Sequence, residues 1–118
     1  MVSYLLIMRN YESKKVKVGR LGTVEFKPGF YFYVGSSDIG IHRIKRHFRK
    51  NKRKRWHIDY ITDKFEILGA IMLKQKECEL ALRLSRNLEY VPKFGCSDCK
   101  CPSHLFYSKS LTLDFLPI

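Results

Sequence analysis

The stretch FYFYVGSSDIGIHRIKRH, residues 30–47, restricts the possible folds most. Four ring-bearing residues and a valine over 30–34 have the composition of a buried strand, where aromatic and β-branched side chains pack well. A few residues on, Ile41, Ile44 and Phe48 recur at i, i+3 and i+7, the spacing of one helical stripe. A strand is therefore expected to deliver the chain almost directly into a helix. Gly35 carries no Cβ, so it would let the backbone turn sharply and a ligand come close. Ser36, Ser37 and Asp38 are good N-cap types, which predicts a helix start just after them. A helix N-terminus offers unpaired N–H groups and partial positive charge, which suit phosphate. Arg43 would come round to the same side, where its planar fork could grip two phosphate oxygens. The same spacing also fits a plain crossover with a solvated arginine.

The remaining segments complete an α+β pattern over a single domain, residues 1–118, with a small antiparallel or mixed sheet flanked by helices. Val2–Met8 reads as a buried strand. Val16–Phe26 alternates apolar and polar residues around two glycines, as the strands of a hairpin would. Trp56–Thr62 suggests a helical turn, and Phe65–Lys74 a buried strand. Leu80, Leu84 and Leu88 share a helical face. The tail, including His104–Ser108 and Leu111–Leu116, is expected to be strand-like and packed.

Charge narrows the function classes. The formal net charge is +12, and Arg43 to Arg55 holds nine Lys and Arg in thirteen positions with no acidic residue among them. Asp38 precedes that run and Asp59 follows it. An uncompensated cationic run on a folded domain predicts binding to a polyanion, with nucleic acid as the expected partner. Ser36, Ser37, Arg46, Arg49, Lys50, Lys52, Arg53, Lys54 and Arg55 are the candidate contacts. No apolar run approaches the roughly 20 residues of a bilayer span, and the N-terminal patch lacks signal-peptide features. A cytoplasmic protein without a membrane partner is the expectation.

Tyr33-Val34-Gly35, followed by Arg43 ten residues and His47 fourteen residues after Tyr33, resembles the second half of the GIY-YIG nuclease signature. Tyr4 stands in the first tyrosine position, with Val2 and Ser3 where that family carries Gly-Ile. The likeness is closest to the small Uri-type branch. It runs through GRLGTVEFKPGFYFYVGS, RIKRH, WHIDY, ECELA and SDCKCPSHLF, nearly the whole chain. The resemblance implies a metal-dependent endonuclease that hydrolyses DNA phosphodiesters, in repair or processing. Tyr4 and Tyr33 would lie side by side facing the phosphate, with Tyr4 as general base or water-orienting group. Arg43 would stabilise charge on the phosphoryl oxygens, and Glu77 would bind a single Mg²⁺ or Mn²⁺. His47 and His57 would assist in proton transfer or phosphate contact. The family's asparagine after the glutamate helix has no counterpart; Asn87 falls inside that helix, leaving Ser103 or His104 for that corner.

Each of these residues also has an ordinary role open to it: tyrosines that pack in a sheet, a glutamate in a helix's first turn, a histidine beside Trp56. Cys96, Cys99, Cys101 and His104 form a C-x2-C-x-C-x2-H set that could hold structural zinc, contain a disulfide, or simply pack as a loop. Cys78 reads as a small buried hydrophobe. Two alternatives belong to other classes. Glu25–Lys27 matches the end of a PD-(D/E)xK nuclease motif, with Glu12 the only upstream acid. The other is a non-catalytic nucleic-acid-binding module that keeps the basic surface.

Overall fold

The computed structural model describes residues 2–37, 40–48, 57–95 and 101–112, with the side chains of residues 2, 37 and 40–43 outside that description. Strand β1 (Val2–Asn10) occupies the middle of the molecule because it is apolar at nearly every position: Tyr4, Leu5, Leu6, Ile7 and Met8 are all buried. A strand buried on both faces needs cover on both, and the rest of the chain supplies it. A hairpin of β2 (Lys14–Lys17) and β3 (Thr23–Phe26) follows, joined through a 3-10 turn at Gly19–Leu21. Then come β4 (Gly29–Ser37), α1 (Gly40–His47), a second 3-10 turn (His57–Tyr60), β5 (Glu66–Leu73), α2 (Glu77–Ser85), β6 (Glu89–Tyr90) and β7 (Leu105–Ser108). The main sheet has the order β5-β1-β4-β7-β6, antiparallel throughout. This is the α+β class expected from the sequence.

The period-2 alternation of β1 and β4 sorts two cores onto opposite faces. On one face Tyr4, Leu6, Met8, Tyr31 and Tyr33 pack with Val16 and Phe26 of the hairpin, Ile44 of α1 and Ile58 of the second 3-10 turn. On the other, Leu5, Ile7, Phe32 and Val34 meet Leu80, Ala81 and Leu84 of α2. Asn10, buried at the end of β1, donates from Nδ2 to the carbonyls of Phe26 (3.2 Å) and Lys27 (3.1 Å), fixing the hairpin against the sheet. Among the described residues no helix is long and apolar enough to cross a membrane.

Four sequence expectations need correction. Strand β4 does not stop at Gly35: it runs on to Ser37, with Ser36 and Ser37 paired to Ser3 and Val2. Those serines are ladder residues, and the helix begins at Gly40. Phe48 lies beyond the end of α1 and is 50% exposed, while His47 is 1% exposed, so the inward stripe is Ile44–His47. Strand β5 sits at the sheet edge with Leu68 and Met72 exposed, so it is half-buried. Leu111 is exposed and outside any strand, and residues 113–118 lie outside the described set.

Candidate functional site

Tyr4 sits opposite Gly35 in the β1–β4 register, and its ring occupies the space a side chain at that glycine would need. A Cβ built on Gly35 would stand 2.6 Å from Tyr4 Cε2 and closer still to Cζ and Oη. Gly35 is not among the glycines with positive φ, so its requirement is spatial. The sequence predicts a ligand approaching this glycine; the group that approaches is the tyrosine of the neighbouring strand.

The ring crosses Gly35 to reach α1. Tyr4 Oη and His47 Nε2 share a buried hydrogen bond of 2.7 Å. Tyr33, two residues before Gly35 and on the same face, has its ring centroid 6.4 Å from that of Tyr4 and 6.1 Å from the His47 ring, edge-on. Phe94 stands edge-on to Tyr33 at 6.2 Å and to His57 at 5.4 Å. The backbone N–H of Gly95 donates to His57 Nδ1 at 2.9 Å. Partial burial holds the His57 imidazole below its ordinary pKa, which keeps that acceptor nitrogen unprotonated.

Two phenols and an imidazole are thus brought together, with His57 joined through Phe94. They do not line an open cleft: Tyr4 is 2%, Tyr33 9% and His47 1% exposed. The expectation of phenols facing a free phosphate position is corrected here. α1, packed on β1 and β4 through Ile44 and His47, closes this face. An open groove of about 430 Å³, lined by Lys27, Leu88, Glu89 and Tyr107, lies elsewhere on the sheet, where β7 meets β6.

Arg46 also departs from its expected role as a nucleic-acid contact. Its guanidinium donates from Nη1 to Asp59 Oδ1 at 2.5 Å and from Nη2 to Oδ2 at 2.9 Å. The Asp59 side chain is fully buried and that of Arg46 is 21% exposed. This two-pronged pair ties α1 to the second 3-10 turn and so fixes where His47 stands. Sequence reading missed the partnership, although Asp59 was visible as the acid that ends the cationic run. Lys45, on the same helix, is exposed. The side chains of Ser37 and Arg43, and all of Arg49, Lys50, Lys52, Arg53, Lys54 and Arg55, lie outside the described residues.

Glu77 is not with the phenols. It opens α2, on the opposite face of the sheet, where its Oε1 lies 3.6 Å from His104 Nδ1. His104 is 2% exposed; its Nδ1 is 3.1 Å from the Val34 carbonyl and its Nε2 3.0 Å from Cys101 Sγ. The predicted convergence of this carboxylate with Tyr4 and Tyr33 is therefore corrected, because the pleat sends Tyr33 and Val34 to opposite faces. Cys78, expected to be a buried hydrophobe, is half-exposed and disulfide-bonded, whereas Cys101 is in the thiol form. Cys96 and Cys99 lie outside the described residues.

The corner left open by the missing asparagine is not filled at the phenols. Asn87 is exposed and donates to the Arg83 carbonyl at 2.9 Å, an end-of-helix contact. Ser103 is buried in a local turn, its Oγ bonded with both N–H and carbonyl of Leu105. Among the described residues, imidazole and aromatic rings surround the phenols, while Asp59 and Glu77 are engaged elsewhere. That donor set does not fit Mg²⁺ or Mn²⁺, which take oxygen ligands.

No curated protein and no solved structure matches the chain. A family profile described as a domain of unknown function, DUF123, matches residues 3–115, which include both phenols, α1, α2 and the His104 segment. The chain belongs to the DUF123 family.

Proposed function

We propose that this chain is a DNA endonuclease whose chemical centre is the Tyr4–Tyr33–His47 cluster. The observation that carries the proposal is the 2.7 Å hydrogen bond between Tyr4 and His47, buried between the central strands and α1. A core built for packing alone would place apolar side chains there, since a buried polar pair must recover its desolvation cost. A phenol near its ordinary pKa of about 10 is a poor base at neutral pH. An imidazole on its oxygen changes that: His47 receives the phenolic proton while Tyr4 Oη takes one from the attacking water. Tyr33 walls the other side and holds the water or the phosphate. Arg43, one helical turn before His47, is the proposed partner for the phosphoryl oxygens, as the GIY-YIG resemblance implies. The cationic run supplies sequence-independent affinity for the backbone. Access for a phosphate must open beside α1 and leave the Tyr4–His47 bond intact, because that bond carries the proton. Mg²⁺ or Mn²⁺ is the cofactor the resemblance implies, and no step here is routed through it.

The burial of both phenols, and the position of Glu77 across the sheet, favour a second reading: a nucleic-acid-binding module without chemistry. One experiment separates them. The purified chain is incubated with branched, single-stranded and duplex DNA in Mg²⁺, Mn²⁺ or EDTA. Cleavage of any substrate that disappears in His47→Gln supports the endonuclease. Salt-sensitive binding with no cleavage under any condition supports the binding module.

A further inference from the structure

We propose that Glu77, Cys78 and His104 form a redox-gated site for a borderline divalent ion such as Zn²⁺. The proposal does not depend on hydrolysis at the phenols, which lie on the other face of the sheet. Three kinds of donor converge there: a carboxylate oxygen, a cysteine sulfur and an imidazole nitrogen, all within 4.8 Å of one another. Glu77 and Cys78 come from the first turn of α2, where the helix dipole favours negative ligands. His104 comes from the segment that enters β7, and it is held from both sides. Its Nδ1 lies against the Val34 carbonyl and its Nε2 against Cys101 Sγ. The Cys101 contact at Nε2 is an outer partner of the kind that fixes the orientation of a metal-binding imidazole. Glu77 approaches the ring at Nδ1, so the ion takes Nδ1 in exchange for the Val34 carbonyl contact, and the ring proton moves to Nε2, donated to Cys101 Sγ. Sulfur and imidazole select zinc-like ions, whereas Mg²⁺ and Ca²⁺ take oxygen ligands. Three protein ligands leave the fourth tetrahedral position to water.

The gate is Cys78 itself. In the structure it is disulfide-bonded, and a disulfide sulfur is not the thiolate that zinc requires. Reduction by a phosphine balances as disulfide plus phosphine plus water giving two thiols plus phosphine oxide. The Cys78 thiol then loses its proton to solvent as it takes the ion. The oxidised chain is thus stapled and closed to metal, and the reduced chain is open to it.

Co²⁺ is the probe, because a cobalt–thiolate bond gives an intense near-ultraviolet charge-transfer band. The full chain is titrated with Co²⁺ before and after phosphine reduction, and Zn²⁺ is then used to displace the cobalt. The reduced chain is expected to show the band at one ion per chain, insensitive to a large excess of Mg²⁺, while the oxidised chain shows none. Cys78→Ser should abolish the band. Glu77→Gln, at a partly exposed position, should weaken Zn²⁺ binding by at least the about 10-fold that loss of even an outer-shell partner costs. Three results would overturn the proposal: no band in the reduced chain, equal binding by the oxidised chain, or a full band in a folded Cys78→Ser variant, which would assign the metal to other cysteines.

Discussion

Replacing Gly35 by alanine tests the central contact of the fold. The backbone there can accept a side chain, so any cost comes from the space the Tyr4 ring occupies. A methyl 2.6 Å from Cε2, and nearer to two further ring atoms, cannot be absorbed by a small shift. Overfilling a packed core costs about 1–3 kcal/mol. Pushing the ring aside also breaks its hydrogen bond to the buried His47, adding about 1 kcal/mol. The expected loss is therefore about 2–4 kcal/mol, a large part of the 5–15 that hold a domain together. At about 4 °C per kcal/mol for a domain of this size, the melting temperature should fall by roughly 8–16 °C. Urea unfolding followed by circular dichroism measures the loss, and a double-mutant cycle assigns it. In a Tyr4→Leu background, where the long ring is gone, Gly35→Ala should cost less than about 1 kcal/mol. A single mutant as stable as wild type, or an equal cost in both backgrounds, would refute the steric reasoning.

Three further outcomes follow from separate contacts. Arg46→Ala removes the two-pronged partner of the buried Asp59 carboxylate and should destabilise by about 3–5 kcal/mol, whereas Lys45→Ala should stay within about 0.5 kcal/mol of wild type; equal effects in urea melts would refute the pairing. His57 has a folded pKa below its ordinary 6.5, so its stabilising contribution is present above that value and is lost as pH falls through the folded pKa. Urea midpoints should accordingly drop on acidification from pH 6.5, and His57→Gln should flatten that part of the profile; an identical profile in the mutant would exclude His57. Neutralising Lys52, Arg53 and Lys54 should reduce the slope of log K against log salt by up to about 2.7, without changing sequence preference; an unchanged slope would remove that run from the interface.

The strands were legible because their signals are local. β1 and β4 announce themselves by apolar and aromatic density, and the β2–β3 hairpin by alternation around two glycines. The burial of β5 was misjudged because an apolar run does not reveal whether a strand is central or at an edge; that depends on its neighbours. Ser36 and Ser37 look like caps, but nine consecutive cross-strand pairs with β1 override that local preference. For the site, the family resemblance named Tyr4, Tyr33 and His47, and the structure places all three on one inward face. Sequence could not find which face Glu77 would join, because a helix after an edge strand can pack on either side of the sheet. Nor could it show that Arg46, one of nine Lys and Arg in thirteen positions, is paired internally: that depends on the 3-10 turn bringing Asp59 beneath it. The disulfide at Cys78 escaped for the same reason, as chain separation carries no record of spatial proximity.

The most direct test of the Tyr4–His47 centre compares wild type with Tyr4→Phe, which keeps the ring over Gly35 and removes only the hydroxyl. Single-turnover cleavage of end-labelled DNA, at saturating protein and with binding measured in parallel, should be slower by about 100-fold or more in the variant while affinity and circular dichroism are unchanged. Equal cleavage rates in the two proteins, or DNA left intact by wild type with every divalent ion, would contradict the account.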